Sequence, residues 1–233
     1  MPILQPDLRF KGMEVVTDFD GTIVNIDTVE YLLARYATGD WRRYDELYER
    51  GEVSLEECLR QQYGMIREPK RKLLVAVDNV ATFRAGFDEL LAFAMKEGNS
   101  FTIVSAGLDF VITHLLRRRN VDRDVVILAP RSKHTPRGIA LDFSGLPQGD
   151  SANFKSNAVQ AIKAKGRSVA YIGDGYSDFE AIKEADVRFV IKGSRLDEQC
   201  RKDGIVCRQI VDFEEVTSCL MGQERAVTER RRR

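Results

Sequence analysis

Met13-Glu14-Val15-Val16-Thr17-Asp18-Phe19-Asp20-Gly21-Thr22 passes from apolar to acidic within a few residues. The run from Met13 to Phe19 is short, largely apolar and β-branched, and it closes on Asp-Gly punctuation. Such a run suits a buried strand that delivers its last residues to the edge of a sheet. Asp18 then stands at a strand's carboxyl end, and Asp20 can turn into the same cleft once the chain leaves the pleat. Alone, the Asp-x-Asp-Gly pattern also fits an Asx-turn closing a strand, so the segments around it have to decide.

From Asp27 to about Ala85 no strand pattern occurs. The segment reads as several helices, with Tyr31, Leu32, Leu33 and Tyr36 on one face, Ser54 as an N-cap before Leu55, Cys58 and Leu59, and breaks at Gly39 and Pro69. Beyond it the pattern alternates: a helix near Phe87 to Lys96, a strand Phe101 to Ser105, a helix Leu108 to Arg118 and a strand Val125 to Leu128. A second round has a helix Phe154 to Lys165, a strand Val169 to Ile172, a helix Asp178 to Glu184 and a strand Val187 to Ile191. This grammar predicts an α/β fold with a mainly parallel sheet wrapped by helices. Between the rounds, Arg131 to Asp150 is rich in Gly, Pro and polar residues and fits either a small hairpin or flap around Ile139 to Phe143 or a plain connecting loop. No internal repeat is visible.

The composition narrows the function classes. With 43% hydrophobic and 31% charged residues over 233 positions, the chain can build one good-sized core with a small accessory unit. Lys plus Arg (36) equals Asp plus Glu (36), so no global field draws it to nucleic acid or to an acidic membrane. The runs Arg117 to Arg119 and Arg230 to Arg233 read as solvated surface and tail. Cys58, Cys200, Cys207 and Cys219 lack metal or disulfide spacing and read as reduced, packed thiols. Met1 to Lys11 lacks the apolar segment of a secretory signal, and no stretch approaches the roughly 20 apolar residues of a membrane span. The expectation is a cytoplasmic protein.

Three further features fall at the ends of expected strands, where open α/β sheets place ligands: Ser105-Ala106-Gly107, Lys155 opening a helix, and Gly173-Asp174-Gly175-Tyr176-Ser177-Asp178. Singly, Ser105 fits a helix N-cap, Lys155 a surface lysine and Asp178 an N-cap for the helix that follows. Together, in this order, they resemble the four motifs of the haloacid dehalogenase superfamily. The resemblance implies a Rossmann-like core with an inserted helical cap of the C1 type: core residues 1–26 and 86–233, cap residues 27–85. It implies Asp18 as a nucleophile, Asp18, the Asp20 carbonyl and Asp174 as ligands of Mg²⁺, and Asp178 as support for the metal's water shell or for Lys155. Ser105, the Ala106 and Gly107 amides and Lys155 are the implied phosphate donors. A carboxylate attacks phosphorus only where the phosphoryl charge is neutralised, so the chemistry itself asks for such a set. Asp20 can protonate an alkoxide leaving group, which favours phosphate-ester chemistry.

A helical insertion between the first and second motifs is the arrangement of superfamily members that act on small phosphorylated metabolites. Thr22-Ile23-Val24-Asn25 and the Ser-Ala-Gly-x-Asp pattern of Ser105 to Asp109 resemble the phosphoserine phosphatase subgroup. Asp27 stands where that subgroup has a Glu for the substrate ammonium, and Gln62 where it has an Arg for the carboxylate, with Arg60 on another face. Gln cannot replace a bidentate guanidinium. Phe83-Arg84-Ala85-Gly86-Phe87 and Gly107-Leu108-Asp109-Phe110 resemble the methionine-salvage branch instead, where Tyr31, Tyr36, Tyr63 and Met65 could line a thioether pocket or simply be core. Phosphotransfer and binding without turnover stay open beside hydrolysis. The oligomeric state is not written in the sequence.

Overall fold

The computed structural model describes residues 12–96 and 98–231, with side chains as far as residue 222. Met1 to Lys11 and the side chains of Arg230 to Arg233, on which the expectations about a leader and a tail rest, lie outside the described residues. In chain order the strands are β1 (Met13–Thr17), β2 (Ser100–Val104), β3 (Val126–Leu128), β4 (Arg131–Thr135), β5 (Gly138–Asp142), β6 (Ser168–Gly173), β7 (Val187–Ile191) and β8 (Arg208–Ile210). The helices are α1 (Thr28–Tyr36), α2 (Arg42–Glu49), α3 (Leu55–Gly64), α4 (Lys70–Asp78), α5 (Phe87–Lys96), α6 (Asp109–Arg118), α7 (Phe154–Lys163), α8 (Phe179–Glu184), α9 (Arg195–Lys202) and α10 (Phe213–Arg231).

Every residue of β1 is buried, as a strand covered by helices on both faces requires. The main sheet runs β3-β2-β1-β6-β7-β8, all parallel. The chain therefore winds outward from β1 in one direction through β2 and β3, then returns and winds the other way through β6, β7 and β8. That reversal opens a crevice at the carboxyl ends of β1, β2 and β6, the place where such sheets bind ligands. Register sets the level: Thr17 pairs with Ile103 on one side and with Ile172 on the other. Asp18 thus leaves the sheet just ahead of Ser105 and Asp174.

The helices α1 to α4 fill the interval expected to be helical. Asp27 caps α1 by accepting from the Glu30 amide, and Ser54 caps α3 by accepting from Glu57. The segments leading into and out of these helices lie against each other through an antiparallel bridge between Val24 and Phe83, with Arg84 N–H donating to Ile23 at 2.8 Å. Between β3 and α7 the open choice resolves as a hairpin, since β4 and β5 pair antiparallel in register. The Asp109 carboxylate fastens it by accepting from the Ser132 amide and hydroxyl, and β5 packs on α3.

Past Ile191, where the sequence pattern assigns nothing, the structure adds α9, β8 and α10. Cys58 and Cys200 are buried free thiols, and Cys207 and Cys219 are half-buried ones. Arg117, Arg118 and Arg119 are exposed as expected, yet each pairs with a carboxylate: Asp122, Asp78 and Asp88 in turn. No helix among the described residues is long and apolar enough to cross a membrane.

Candidate active site

Asp18 continues the sheet by donating its amide to Ile172 at 2.9 Å, which fixes its side chain at the base of the crevice. Its Oδ2 lies 3.1 Å from Lys155 Nζ, while Oδ1 is buried with no hydrogen-bond partner. Burial and the like charge of Asp178 push this carboxyl up to about 7, against the lowering pull of Lys155.

Lys155 is wholly buried and donates to Asp178 Oδ1 at 2.7 Å. Burial by itself would lower its pKa, but Asp178 and Asp18 reverse that and raise it above the ordinary lysine range. It is therefore no surface lysine. It sits in the first turn of α7, where the Asn153 side chain accepts from the Lys155 and Ser156 amides while its own amide donates to the Ser177 carbonyl. Asn153 thus ties the lysine to the loop after β6. The sequence carries one sign of it, a polar cap residue three places before Ser156.

Asp178 is the buried hub beneath the crevice. Its Oδ1 accepts from Lys155 and, at 2.7 Å, from the Tyr171 hydroxyl, and its Oδ2 accepts from the Asp174 and Gly175 amides. It does not serve α8 as a side-chain cap; it shapes the loop that carries Asp174. Removing its counter-charge is expected to be severe. Lys155→Met should cost about 3–5 kcal/mol, the range found when one member of a buried ion pair is deleted, measured by urea unfolding against the wild type.

Asp20 is buried near Asp18, and burial raises its pKa as it does that of Asp18. Its Oδ1 accepts from the Thr28 amide at 3.0 Å and from the Thr28 hydroxyl, and its Oδ2 has no partner. Burial and then the charge of Asp27 hold it well above the usual carboxylate range despite the Thr28 bonds. That shift favours the protonated form, the one able to donate a proton. Thr28 gave no sequence signal of this task.

Ser105 is fully buried and its Oγ accepts from the Gly107 amide at 2.9 Å. It is not a helix cap, because Leu108 holds that position of α6 without a side-chain bond. Asp174, half-buried, accepts from the Thr22 hydroxyl at 2.7 Å. Carboxylate oxygens of Asp18, Asp174 and Asp178 all lie within 4.8 Å of one another, and burial together with Asp18 and Asp178 raises Asp174 well above its ordinary pKa. Crowded buried carboxylates with an orphaned oxygen among them fit a hard divalent cation, which takes oxygen ligands. Asp178 is already occupied by four donors, which leaves Asp18 and Asp174 as the free pair.

Over these groups lies a cleft of about 440 Å³ between the core loops and the helices α1 to α3. Asp18, Asp20, Asp27, Ser105, Ala106, Gly107 and Asp174 all line it. Lys155 and Asp178 lie below its floor. Of the aromatics considered for a thioether pocket, only Tyr63 lines this cleft; Tyr31 and Tyr36 border a separate surface groove with Arg35 and Lys72, and Met65 packs near Gly39. The apolar wall is instead made by Val29, Leu33, Trp41, Leu55 and Leu59. Gln62 is buried and donates to Asp45 Oδ1 at 2.7 Å and to the Trp41 carbonyl at 3.2 Å. Arg60 turns away to lie over the Phe143 ring.

Arg84, central to Phe83-Arg84-Ala85-Gly86-Phe87, donates to the carbonyls of Gly21, Thr22 and Val211. One guanidinium thereby holds the loop after Asp20 to the loop before α10.

The chain is similar to known bacterial proteins. The 2-hydroxy-3-keto-5-methylthiopentenyl-1-phosphate phosphatase of Bacillus velezensis is 25% identical over 207 residues, covering 87% of each chain. That of an Exiguobacterium species is 26% identical over 216 residues, covering 89% of this chain and 97% of the relative. Among solved structures, a phospho-aspartyl intermediate analogue of phosphoserine phosphatase superposes with a TM-score of 0.67 at 20% identity, over 89% of this chain and 98% of the other. A substrate-bound phosphoserine phosphatase complex does so at 0.66 and 19%, over 88% and 96%. Those two likenesses speak for the fold. The model of the haloacid dehalogenase-like hydrolases matches residues 15–183, a span that takes in most of β1, the helical insertion and the loops that follow β1, β2 and β6, and the chain belongs to that family.

Proposed function

We propose that this hydrolase cleaves a small phosphate monoester through a phosphoryl group carried on Asp18. The observation that carries the reading is the pair of buried, unpartnered carboxylate oxygens, Asp18 Oδ1 and Asp20 Oδ2, at the mouth of one sheet crevice. Buried polar atoms without partners are rare in folded proteins, and a phosphoryl group with a metal would engage both.

Lys155 restrains Asp18 through Oδ2 and opposes the burial that raises its pKa, favouring the charged form that attacks. Asp18 bonds to phosphorus as the ester P–O bond breaks, and Asp20 gives its proton to the departing alkoxide. Water then attacks phosphorus of the phospho-Asp18; Asp20 takes a proton from that water, and inorganic phosphate leaves with Asp18 restored. Ser105 and the Ala106 and Gly107 amides hold the phosphoryl oxygens. Asp18, Asp174 and the Asp20 carbonyl would hold Mg²⁺, which when bound would supply neutralisation of the phosphoryl charge. The helices between residues 27 and 85 act as a cap that keeps bulk water from the phospho-Asp18, over a core made of the remaining described residues.

For the substrate, Gln62 is the informative residue. Its amide is uncharged and is bonded to Asp45. The arginines lining the cleft already have partners, Arg195 with Glu49 at 3.0 Å and Arg42 over the Trp41 ring. A substrate carboxylate finds no open partner there, whereas an uncharged, partly apolar tail fits the wall from Val29 to Leu59. This favours a metabolite such as the keto, hydroxy and methylthio phosphate for which the bacterial relatives are named, over phosphoserine, and a cytoplasmic place in methionine salvage.

The test is Mg²⁺-dependent phosphate release from a panel containing both esters. Preferred turnover of the methylthiopentenyl phosphate is the expected result. Preference for phosphoserine overturns the Gln62 argument, phosphorylation of an added alcohol without phosphate release marks a transferase, and binding without turnover marks a sensor.

Gly21 offers a second check. Its φ is +71°, and a Cβ there would stand 2.1 Å from Asp174 Oδ2. Gly21→Ala is expected to displace Asp174 and lower turnover about 10²-fold, the scale of an ångström's misplacement in a site, with a higher Mg²⁺ requirement read from a metal titration.

A further inference from the structure

Tyr63 is a fully buried tyrosine to which the proposed chemistry gives no task. It stands in the last turn of α3, lines the cleft, and donates its hydroxyl to the Ala106 carbonyl at 2.7 Å. That carbonyl belongs to the peptide group whose N–H is on Gly107, and this N–H donates to Ser105 Oγ at 2.9 Å. Phenol, peptide and serine hydroxyl therefore form one hydrogen-bonded chain in which each link polarises the next. On its other side the peptide is confined by Asp20, since a Cβ on Gly107 would lie 2.3 Å from Asp20 Oδ2.

We propose that Tyr63 is a positioning residue, which by holding the Ala106 carbonyl fixes the Ala106–Gly107 peptide so that its N–H holds the Ser105 hydroxyl in line to meet the phosphoryl group. The inference rests on the reading of Ser105 to Gly107 as the phosphate cradle. Phenylalanine would fill the same space beside Leu55 and Leu59, so packing alone gives no reason for a hydroxyl here. Burial, and after it the charges of Asp20 and Asp27, keep the phenol protonated and hence a donor. Tyr63 comes from the helical insertion and Ala106 from the loop after β2, so the bond exists only while α3 is seated on that loop. Alignment of the cradle is thereby coupled to the seat of α3.

The experiment is Tyr63→Phe in the full chain. A buried aliphatic deletion just beyond the same helix, Ile66→Val, serves as a control for lost stability, since Ile66 is fully buried and does not line the cleft. Expected for Tyr63→Phe are a kcat lower by about tenfold, short of the ~10²–10³ seen on losing a direct oxyanion donor, a KM within about twofold of wild type, and an inhibition constant for orthovanadate raised by the same factor as kcat falls. The Gly107 amide proton resonance should move upfield, and Ile66→Val should alter none of these. An unmoved Gly107 resonance, or a moved one with kcat and vanadate inhibition within twofold of wild type, overturns the positioning role. A wild-type protein that neither hydrolyses phosphate esters nor binds vanadate overturns the cradle reading instead, and the Gly107 resonance then separates an oriented peptide from a merely packed ring.

Discussion

Asp18→Asn is expected to abolish phosphate release, by about 10³-fold or more, while the protein stays folded. The magnitude follows from removing the only group that forms the covalent bond, which in enzymes using a nucleophile costs nearly all of the chemical advantage. The folded state should not suffer, because Asn keeps an oxygen for Lys155 and removes a negative charge that burial and Asp178 already oppose. In metal-free buffer its melting temperature should equal or exceed that of the wild type. Added Mg²⁺ should raise the melting temperature of the wild type and much less that of the variant, because a ligand stabilises only the protein that binds it. Undiminished phosphate release by Asp18→Asn would remove the nucleophile from Asp18.

Asp20→Asn is expected to split the reaction in two. With a natural alkoxide leaving group, turnover should fall by about 10²–10⁴-fold, the range for losing a general acid–base group. An aryl phosphate leaves without much help from an acid, so Asp18 should still be phosphorylated. The second step would then stall, because no group near Asp18 takes the proton of the attacking water. The expected observation is one burst of aryl alcohol per protein molecule, followed by a slow phase, with a phosphoryl group retained on the intact protein by mass spectrometry. A steady state without a burst, at a rate lowered equally for both ester types, would place the acid–base group elsewhere. The environment built around Asp20 supports the assignment: Thr28 satisfies one carboxyl oxygen, and burial raises its pKa, favouring the protonated form that a general acid requires.

Much of this fold is visible in the sequence because its central strands are continuous apolar runs and its long helices are strongly amphipathic. The helix over Phe87 to Lys96 has the bounds the pattern suggests, since Phe87, Leu90, Leu91 and Ala94 form one buried stripe. The region past Ile191 is silent for the opposite reason. In α9 only Leu196, Asp197 and Cys200 are buried, and β8 is three residues at a sheet edge with just Ile210 inside. One apolar pair four residues apart and a single buried strand residue are too few to mark an element by pattern alone.

The site divides in the same way. Asp18, Ser105, Lys155 and Asp174 are legible because each follows a strand end or opens a helix, so chain position alone brings them together. Thr28, Asn153, Arg84 and Tyr63 are not. They act through hydrogen bonds to main-chain groups or to a carboxylate on another segment, as Arg84 does across to Gly21 and Tyr63 across to Ala106. Main-chain acceptors are the same at every position, so such contacts leave no imprint on residue spacing.

The winding of the sheet outward from β1 has a consequence for how the protein is made. Among the described strands β1 leaves the ribosome first, yet β6, which covers its second edge, is synthesised only after Lys165. Until then Val15 and Val16 belong to a strand with one row of amides and carbonyls unpaired, the kind of edge that recruits other chains. A polypeptide truncated between α7 and β6 should therefore aggregate rather than persist as a partly active enzyme, and the nascent chain is exposed to that hazard for most of its translation.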